Sequence, residues 1–248
     1  MSYFAEFPMT RYQYGNETYS VLTQNLAAYV DVIDDVKDAI SFYTEMYILD
    51  GDRPDNMSYK LYGTPEYYFT FFLMNDHLRQ QGWPLTQKAL DEKVKTDYPH
   101  FTITNNSGNG DAQLKVGSNI TGNTSGATGT IIKRRLDLGQ LIVKPTNDFT
   151  FRKGELVAIF DEFGFVTKSV VATAATDQWQ SVRHYVDGNG DRVDIDPLNT
   201  DTIPSQYTPV LYNEWYKERN DANREMKVIK PTAIQSVMRA FRDAMKSA

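Results

Sequence analysis

The chain has 248 residues, a formal net charge of −6 and an aromatic content of 13%, and it contains no cysteine. This length can bury a sizeable core in one large or two small domains. The lack of cysteine excludes disulfides, thiolate metal sites and cysteine nucleophiles. The sequence shows no basic-then-apolar leader and no long apolar run, so we expect neither secretion nor membrane spanning.

The first 30 residues mix aromatic side chains with Gly, Pro and Asn and show no sustained periodicity. We interpret them as an extended arm that a partner protein orders. From Asp31 onward, Ile33, Val36 and Ile40 recur at helical spacing and predict a helix. Near Phe42 this pattern gives way to the alternation typical of a strand.

Helix signals are densest between residues 47 and 85. Asp52 is expected to cap a short helix with Pro54 in its first turn, and Gly63 is expected to end that helix in a left-handed conformation. Thr64 and Pro65 then begin a second helix. A third helix is predicted from about Thr86 to Lys95.

The second of these helices is apolar almost all round. Its apolar and aromatic residues are Tyr67, Tyr68, Phe69, Phe71, Phe72, Leu73 and Met74. A helix of this kind has to be covered on several sides, by other parts of the chain or by other proteins.

The composition changes at Asn105, where Gly, Thr, Val and Ile become frequent. Short β-branched runs separated by Gly and Asn predict a small all-β module over residues 101–176. Beyond it, residues 187–190 predict a hairpin turn, a Pro- and Thr-rich connector follows, and a charged helix from about Val210 leads to a short strand. A final helix after Pro231 carries an apolar stripe that begins at Ile234.

Candidate chemistry is sparse. The three histidines, His77, His100 and His184, lack metal-ligand spacing. The loop at 122–129 lacks the Gly-Lys-Ser/Thr ending of a phosphate cradle and is interpreted as a turn between strands. Residues 187–198 lack the glycine and the final glutamate of a calcium loop. We therefore expect no enzyme activity, no metal and no cofactor.

The basic cluster Lys133-Arg134-Arg135 is interpreted first as a solvated strand end and second as a contact for an acidic partner. Residues 1–100 hold 8 basic and 15 acidic side chains, whereas 214–248 hold 8 basic and 5 acidic. An acidic front and a basic tail argue against a nucleic-acid groove and suit head-to-tail packing in an assembly.

Several residues between positions 51 and 83 form a pattern that resembles a LysM-like module and, more specifically, the small baseplate wedge protein of contractile-tailed, T-even-like bacteriophages (the gene product fifty-three family). They are Gly51, Arg53, Pro54, Leu61, Tyr62, Gly63, Pro65, Asn75, Asp76, Gly82 and Trp83. A second match spans 220–246, and the hairpin at 184–196 is a weaker third. The resemblance skips 101–176, which we interpret as an insertion similar to small β-modules of phage tail proteins.

The resemblance implies an α+β fold in which a LysM-like helix/strand module has N- and C-terminal helical extensions. Residues 1–100 would hold the arm, a helix and the LysM-like module, and 177–248 would complete the wedge domain around the 101–176 insertion. It also implies a structural role: the protein would clamp neighbouring wedge subunits into the ring around the hub during tail assembly.

The implied partners are other wedge and hub proteins, in multiple copies of a sixfold baseplate, with no nucleic acid and no membrane. The implied location is the virion tail baseplate, after assembly in the host cytoplasm. The side chains expected to face partners are Tyr62, Tyr67, Tyr68, Phe71, Phe72, Trp83, Ile234, Val237, Met238, Phe241 and Met245.

An alternative keeps the LysM-like segment but gives it a peptidoglycan- or glycan-binding role. Tyr62, Tyr67, Tyr68 and Trp83 would then stack on sugar rings, and Asn75 would bond an acetamido group. The thoroughly apolar helix argues against a sugar platform. A cell-wall hydrolase would need a catalytic constellation, which the sequence does not offer.

Overall fold

A computed structural model of the chain describes residues 7–25, 41–105, 114–195 and 206–247, with side chains to residue 244. Helices and strands are both well represented and the strands form several sheets, which is compatible with an α+β class. The helix predicted around Ile33–Ile40 and residues 196–205 of the connector predicted at 196–209 lie outside the described residues.

The chain divides into two compact units. Unit 1 combines Met1–Gln87 with Arg219–Ala248, and unit 2 is Lys88–Glu218. These bounds differ from the expected ones at 100 and 177. The third helix and the hairpin after residue 180 belong to unit 2 together with the β-rich segment, because most of their contacts are with residues of that unit.

The described part of unit 1 contains two two-stranded antiparallel sheets and a set of short helices. Its elements are β1 (Met9–Tyr12), β2 (Val21–Gln24), β3 (Tyr43–Tyr47), α1 (Pro54–Tyr62), a 3₁₀ helix (Pro65–Tyr68), α2 (Phe69–Met74), α3 (Asp76–Gln81), β14 (Glu225–Ile229) and α6 (Ile234–Ser247).

Residues 7–25 are more regular than an irregular arm. β1 pairs with β2, with Met9 opposite Gln24 and Tyr12 opposite Val21. Phe7, just before β1, is buried in the core of unit 1. The hairpin is therefore anchored at its base.

Helix α1 ends as expected but begins differently. Gly63 has a φ of 73° and closes the helix in the left-handed conformation. The N-cap is Arg53, not Asp52. The Asp52 carboxylate instead accepts hydrogen bonds from Lys60 Nζ at 2.9 Å and Leu49 N at 3.3 Å, so it is not available to the helix amides.

Thr64 caps the next segment, as predicted, and its hydroxyl accepts a hydrogen bond from Glu66 N at 3.3 Å. The aromatic helix is not continuous: a 3₁₀ helix runs from Pro65 to Tyr68, and α2 follows from Phe69 to Met74.

The aromatic segment is covered by the C-terminal end of the chain. Strand β14 pairs with β3, with Met226 opposite Met46, and α6 adds its apolar stripe. One core cluster consists of Phe7, Tyr67, Phe69, Met74, Ile229, Ile234, Val237, Met238 and Phe241. A second consists of Ile48, Met57, Phe71, Leu78, Met226 and Val228. Residues near both ends of the described chain, such as Phe7 and Phe241, therefore share one core cluster.

Unit 2 is built around a seven-stranded antiparallel sheet with the strand order β10-β4-β7-β6-β5-β8-β9. The strands are β4 (Phe101–Thr104), β5 (Asn119–Gly122), β6 (Thr128–Arg135), β7 (Gln140–Pro145), β8 (Leu156–Phe160), β9 (Val166–Val171) and β10 (Ala174–Asp177). Its fully buried side chains include Ile103, Leu114, Ile131, Leu141 and Val157. Strands β4 to β10 lie in the segment over which a small all-β module was expected.

A smaller sheet has the order β12-β11-β13. Its strands are β11 (Val182–Val186), β12 (Arg192–Val193) and β13 (Thr208–Leu211). The described residues also form two α-helices, α4 (Gln87–Asp97) and α5 (Tyr212–Ala222), and two short 3₁₀ helices, Leu136–Leu138 and Gln178–Gln180. The hairpin predicted at 187–190 joins β11 to β12. Asp187 Oδ1 holds its turn by accepting hydrogen bonds from Asn189 N at 2.9 Å and Asp191 N at 3.0 Å.

Candidate functional site

Most side chains expected to face a partner are inside unit 1. Those that are buried are Tyr67, Phe71, Ile234, Val237, Met238 and Phe241, and those that are half-buried are Tyr62, Phe72 and Trp83. Tyr68 is 41% exposed, and the side chain of Met245 lies outside the described residues. The six buried side chains therefore do not face a partner, contrary to the expectation from sequence. Strand β14 and helix α6 pack on the aromatic segment and cover it from within the chain.

Two polar residues of the family-like pattern connect α1 and α2 to β14. The Tyr62 hydroxyl donates to Ile229 O at 2.9 Å. The Asn75 amide donates to Lys227 O at 2.8 Å and accepts from Lys227 N at 2.8 Å. Asn75 thus satisfies both backbone groups of one residue, as a neighbouring strand would. Burial raises the pKa of Tyr62 to about 12, although its hydrogen bonds with Thr70 and Ile229 act in the opposite direction.

A third pattern residue, Trp83, closes the same segment. Its indole Nε1 donates to Asp52 O at 2.7 Å, and its ring centroid lies 5.9 Å from that of Phe72 and 6.1 Å from that of Phe71. Because Tyr67 and Asn75 are buried and the polar atoms of Tyr62, Asn75 and Trp83 bond to backbone, these residues do not form an open platform for sugar stacking.

Sequence reasoning missed Arg224, which ties several segments of unit 1 together. Its side chain is 9% exposed, and it donates to Ile48 O at 3.1 Å, Leu85 O at 3.2 Å and the Asp50 carboxylate at 2.9 Å. Nearby, the Asn220 amide both donates to and accepts from the backbone of Leu85. The local pattern, a charged helix end, gave no signal for this role, because the acceptors at Ile48, Asp50 and Leu85 are remote in sequence; only Asp221, at 3.2 Å, is a local acceptor.

In unit 2, the glycine-rich loop at 122–129 is a turn between β5 and β6, as expected. Its amides do not point to an open anion site. Glu155 is 4% exposed, and its carboxylate accepts from Thr124 N at 3.3 Å, from Ser125 N at 3.0 Å and from the Ser125 hydroxyl at 3.0 Å. Arg152 N donates to the same carboxylate. The chain's own glutamate fills the place where a phosphate would bind.

The Glu155 contacts predict a pH-dependent stability of unit 2. Burial alone raises the pKa of Glu155, but the hydrogen bonds from Arg152, Ser125 and Thr124 outweigh it and hold the pKa below its ordinary value. The carboxylate therefore stabilises the fold above its unfolded pKa, and this contribution is lost as the pH falls through the folded pKa.

Glu155→Gln is expected to lower the free energy of unfolding by about 1.5–3 kcal/mol at pH 7, because an amide N–H₂ would face backbone donors in place of an ionised acceptor. Urea unfolding followed by circular dichroism at pH 7, 5 and 4 measures this. The difference in the free energy of unfolding between Glu155→Gln and the wild type should be smaller at pH 4 than at pH 7. Glu162→Gln, at an exposed position, is the control; an equal loss there would contradict the interpretation.

The remaining candidate chemistry is dispersed. The pKa of His100 is lowered by burial and by Lys144, and the pKa of His184 is lowered by burial and by neighbouring arginines. Among the described residues, no group of three or more His, Asp or Glu side chains converges on a possible metal position. The cluster Lys133-Arg134-Arg135 ends β6, and Arg135 donates to Tyr212 Oη at 3.0 Å and to Asp137 at 3.3 Å.

Unit 1 also holds an open cleft of about 750 Å³ beside β3 and β14, with Glu45, Tyr47, Asp76, His77 and Glu225 in its lining. Asp76 is paired with Arg79 at 3.0 Å. The lining therefore combines carboxylates, an imidazole and a phenol.

The clearest exposed apolar surface of unit 1 is the β1–β2 hairpin. Its exposed side chains are Met9, Tyr12, Tyr14, Tyr19, Val21 and Leu22. Both strands are exposed along almost their whole length, whereas an isolated two-stranded hairpin is marginally stable in water. The hairpin therefore leaves a group of apolar side chains of unit 1 in contact with solvent.

No protein-family model matches the chain, and no curated protein matches its sequence. Within the described part of the chain, no helix is both long and apolar enough to cross a bilayer.

Proposed function

We propose that the chain is a structural subunit of a contractile-tail baseplate wedge, which joins neighbouring wedge proteins into the ring around the hub. In this proposal β3, α1, the 3₁₀ helix with α2, and β14 form the LysM-like module. The protein acts through contacts with other wedge and hub proteins and is located in the virion tail.

The observation that carries the proposal is how the two segments of the resemblance meet. Tyr62 and Asn75 belong to the 51–83 pattern, and both bond to the backbone of β14, in the 220–246 match. The residues of the pattern therefore have a shared structural task in unit 1. They build a scaffold that carries exposed apolar surface, which is what a joining subunit requires.

The β1–β2 hairpin is the contact surface that we assign to unit 1. Tyr12 is 55% exposed and Tyr19 is 61% exposed, and tyrosines are enriched where proteins bury their contacts. The glycan-binding alternative is not favoured, because its stacking residues are mostly buried or bonded to backbone.

The test is to produce the chain together with the other wedge proteins encoded with it and to measure the mass of the product by light scattering. We expect a stable complex with the wild type. We expect affinity to fall at least about tenfold for the double variant Tyr12→Ser, Tyr19→Ser. The control is Tyr59→Ser, since Tyr59 is 64% exposed but lies on α1. Wild-type chain that stays alone in every mixture would overturn the proposal.

A further inference from the structure

The loop that joins β8 to β9 displays aromatic side chains to solvent. Phe163 is 76% exposed and Phe165 is 71% exposed. The flanking Phe160 and Val166, which pair across the two strands, are 40% and 49% exposed. We call residues 160–166 the β8–β9 tip.

The conformation of this tip is fixed by hydrogen bonds within the loop. Asp161 Oδ1 accepts from Phe163 N at 2.9 Å and from Phe165 N at 2.8 Å. Asp161 N also donates to Phe165 O at 2.9 Å, and Gly164 adopts a φ of 84°. The two phenylalanines are therefore held outward on a closed turn, so binding would cost little additional ordering of the backbone.

A single exposed phenylalanine is common on protein surfaces, but a contiguous group of exposed apolar side chains is typical of an interaction site. None of the four apolar side chains of the tip belongs to the core cluster of unit 2. Phenylalanine buries a large area in an interface, and a few such anchors usually carry most of the binding energy. The tip has the form of such an anchor.

The charge of the tip indicates the chemistry of its partner. Asp161 and Glu162 are both acidic, and the nearest lysines in the sequence are Lys153 and Lys168. Surfaces that insert into anionic bilayers carry basic residues around the apolar group. An acidic tip instead complements a protein pocket with a basic rim.

We propose that the β8–β9 tip inserts Phe163 and Phe165 into an apolar pocket, rimmed by Lys or Arg, on another protein of the assembly. This inference rests on the proposed function and names a second contact, carried by unit 2, with a partner of stated chemistry.

The full chain is mixed with the other wedge proteins, and affinities are compared for the wild type, the double variant Phe163→Ser, Phe165→Ser, and the control Phe149→Ser. Phe149 is 63% exposed but lies outside the tip. We expect the double variant to bind at least about tenfold more weakly, with an unchanged urea midpoint, and the control to bind as the wild type does. A photo-crosslinking phenylalanine analogue in place of Phe163 should capture a peptide that contains Lys or Arg.

The outcomes separate the two proposals. If the wild type and the double variant assemble equally well, the tip contact is overturned and the proposed function stands. If the wild type does not assemble, both are overturned. Phosphatidylcholine vesicles with one quarter phosphatidylglycerol form a further arm; binding that depends on Phe163 and Phe165 would overturn the protein pocket in favour of a lipid surface.

Discussion

Replacing Phe71 by alanine is expected to lower the free energy of unfolding of unit 1 by about 3–5 kcal/mol, a large part of the total stability of a domain. Phe71 is fully buried and its ring lies 6.1 Å from those of Tyr62 and Trp83. Removing the ring leaves a cavity that neighbouring elements on three sides would have to close. Urea unfolding followed by the fluorescence of Trp83 measures the loss, in a background in which the other two tryptophans, Trp179 and Trp215, are replaced by phenylalanine.

This experiment distinguishes a core residue from an interface residue, which is the point on which the structure revises the expectation from sequence. Tyr68→Ala is the matched control, since Tyr68 belongs to the same aromatic segment but is 41% exposed. We expect it to change the free energy of unfolding by under about 1 kcal/mol. Comparable stability of Phe71→Ala and the wild type would mean that Phe71 is not in a closed core.

Asn75→Ala should destabilise unit 1 by about 2–4 kcal/mol. Asn75 is 4% exposed, and its amide also donates to Phe71 O at 2.8 Å. The substitution therefore leaves Lys227 N, Lys227 O and Phe71 O without their side-chain partner, and buried polar groups in that state cost about 1–3 kcal/mol each before relaxation. Hydrogen exchange at the amide of Lys227 gives a local readout beside the unfolding curve.

Asn56→Ala is the control for this substitution, because Asn56 lies on α1 and is exposed. It should leave stability unchanged or slightly higher, since alanine favours a helix more than asparagine does. If Asn75→Ala leaves the exchange of the Lys227 amide unaltered, the hydrogen bonds assigned to Asn75 do not hold β14.

Local signals predicted several elements well. Gly63 ends α1, Thr64 caps the following 3₁₀ helix, and the turn at 187–190 joins two strands, because in each case a residue a few positions away decides the conformation. The change of composition at Asn105 likewise marked the β-rich segment, since Gly and β-branched residues have opposite and strong local preferences.

The errors have two causes, one local to a turn and one remote in sequence. Asp52 was expected to cap α1, but Lys60 and Leu49 engage its carboxylate. The aromatic helix was expected to need cover, and that was right. The aromatic helix is covered by the same chain because β3 pairs with β14. These strands are far apart in the sequence, and no local sequence pattern predicts such a pairing.

The exposed surfaces were predicted least well. Composition indicated an excess of aromatic side chains but did not separate those of the core from those of the tip. Phe163 and Phe165 are as apolar as Phe71, and only the turn held by Asp161 directs them outward.

The discontinuity of unit 1 has a consequence for synthesis on the ribosome. Lys88–Glu218 is a continuous stretch, so it can fold as soon as it leaves the exit tunnel, whereas β3 and α2 wait for Glu225–Ile229 to be translated. During that interval the nascent chain presents the face of α2 that includes Phe69, Phe71 and Met74. A chaperone that binds apolar segments should therefore be found on ribosome-bound chains that stop before Glu225, and should be released once α6 has emerged.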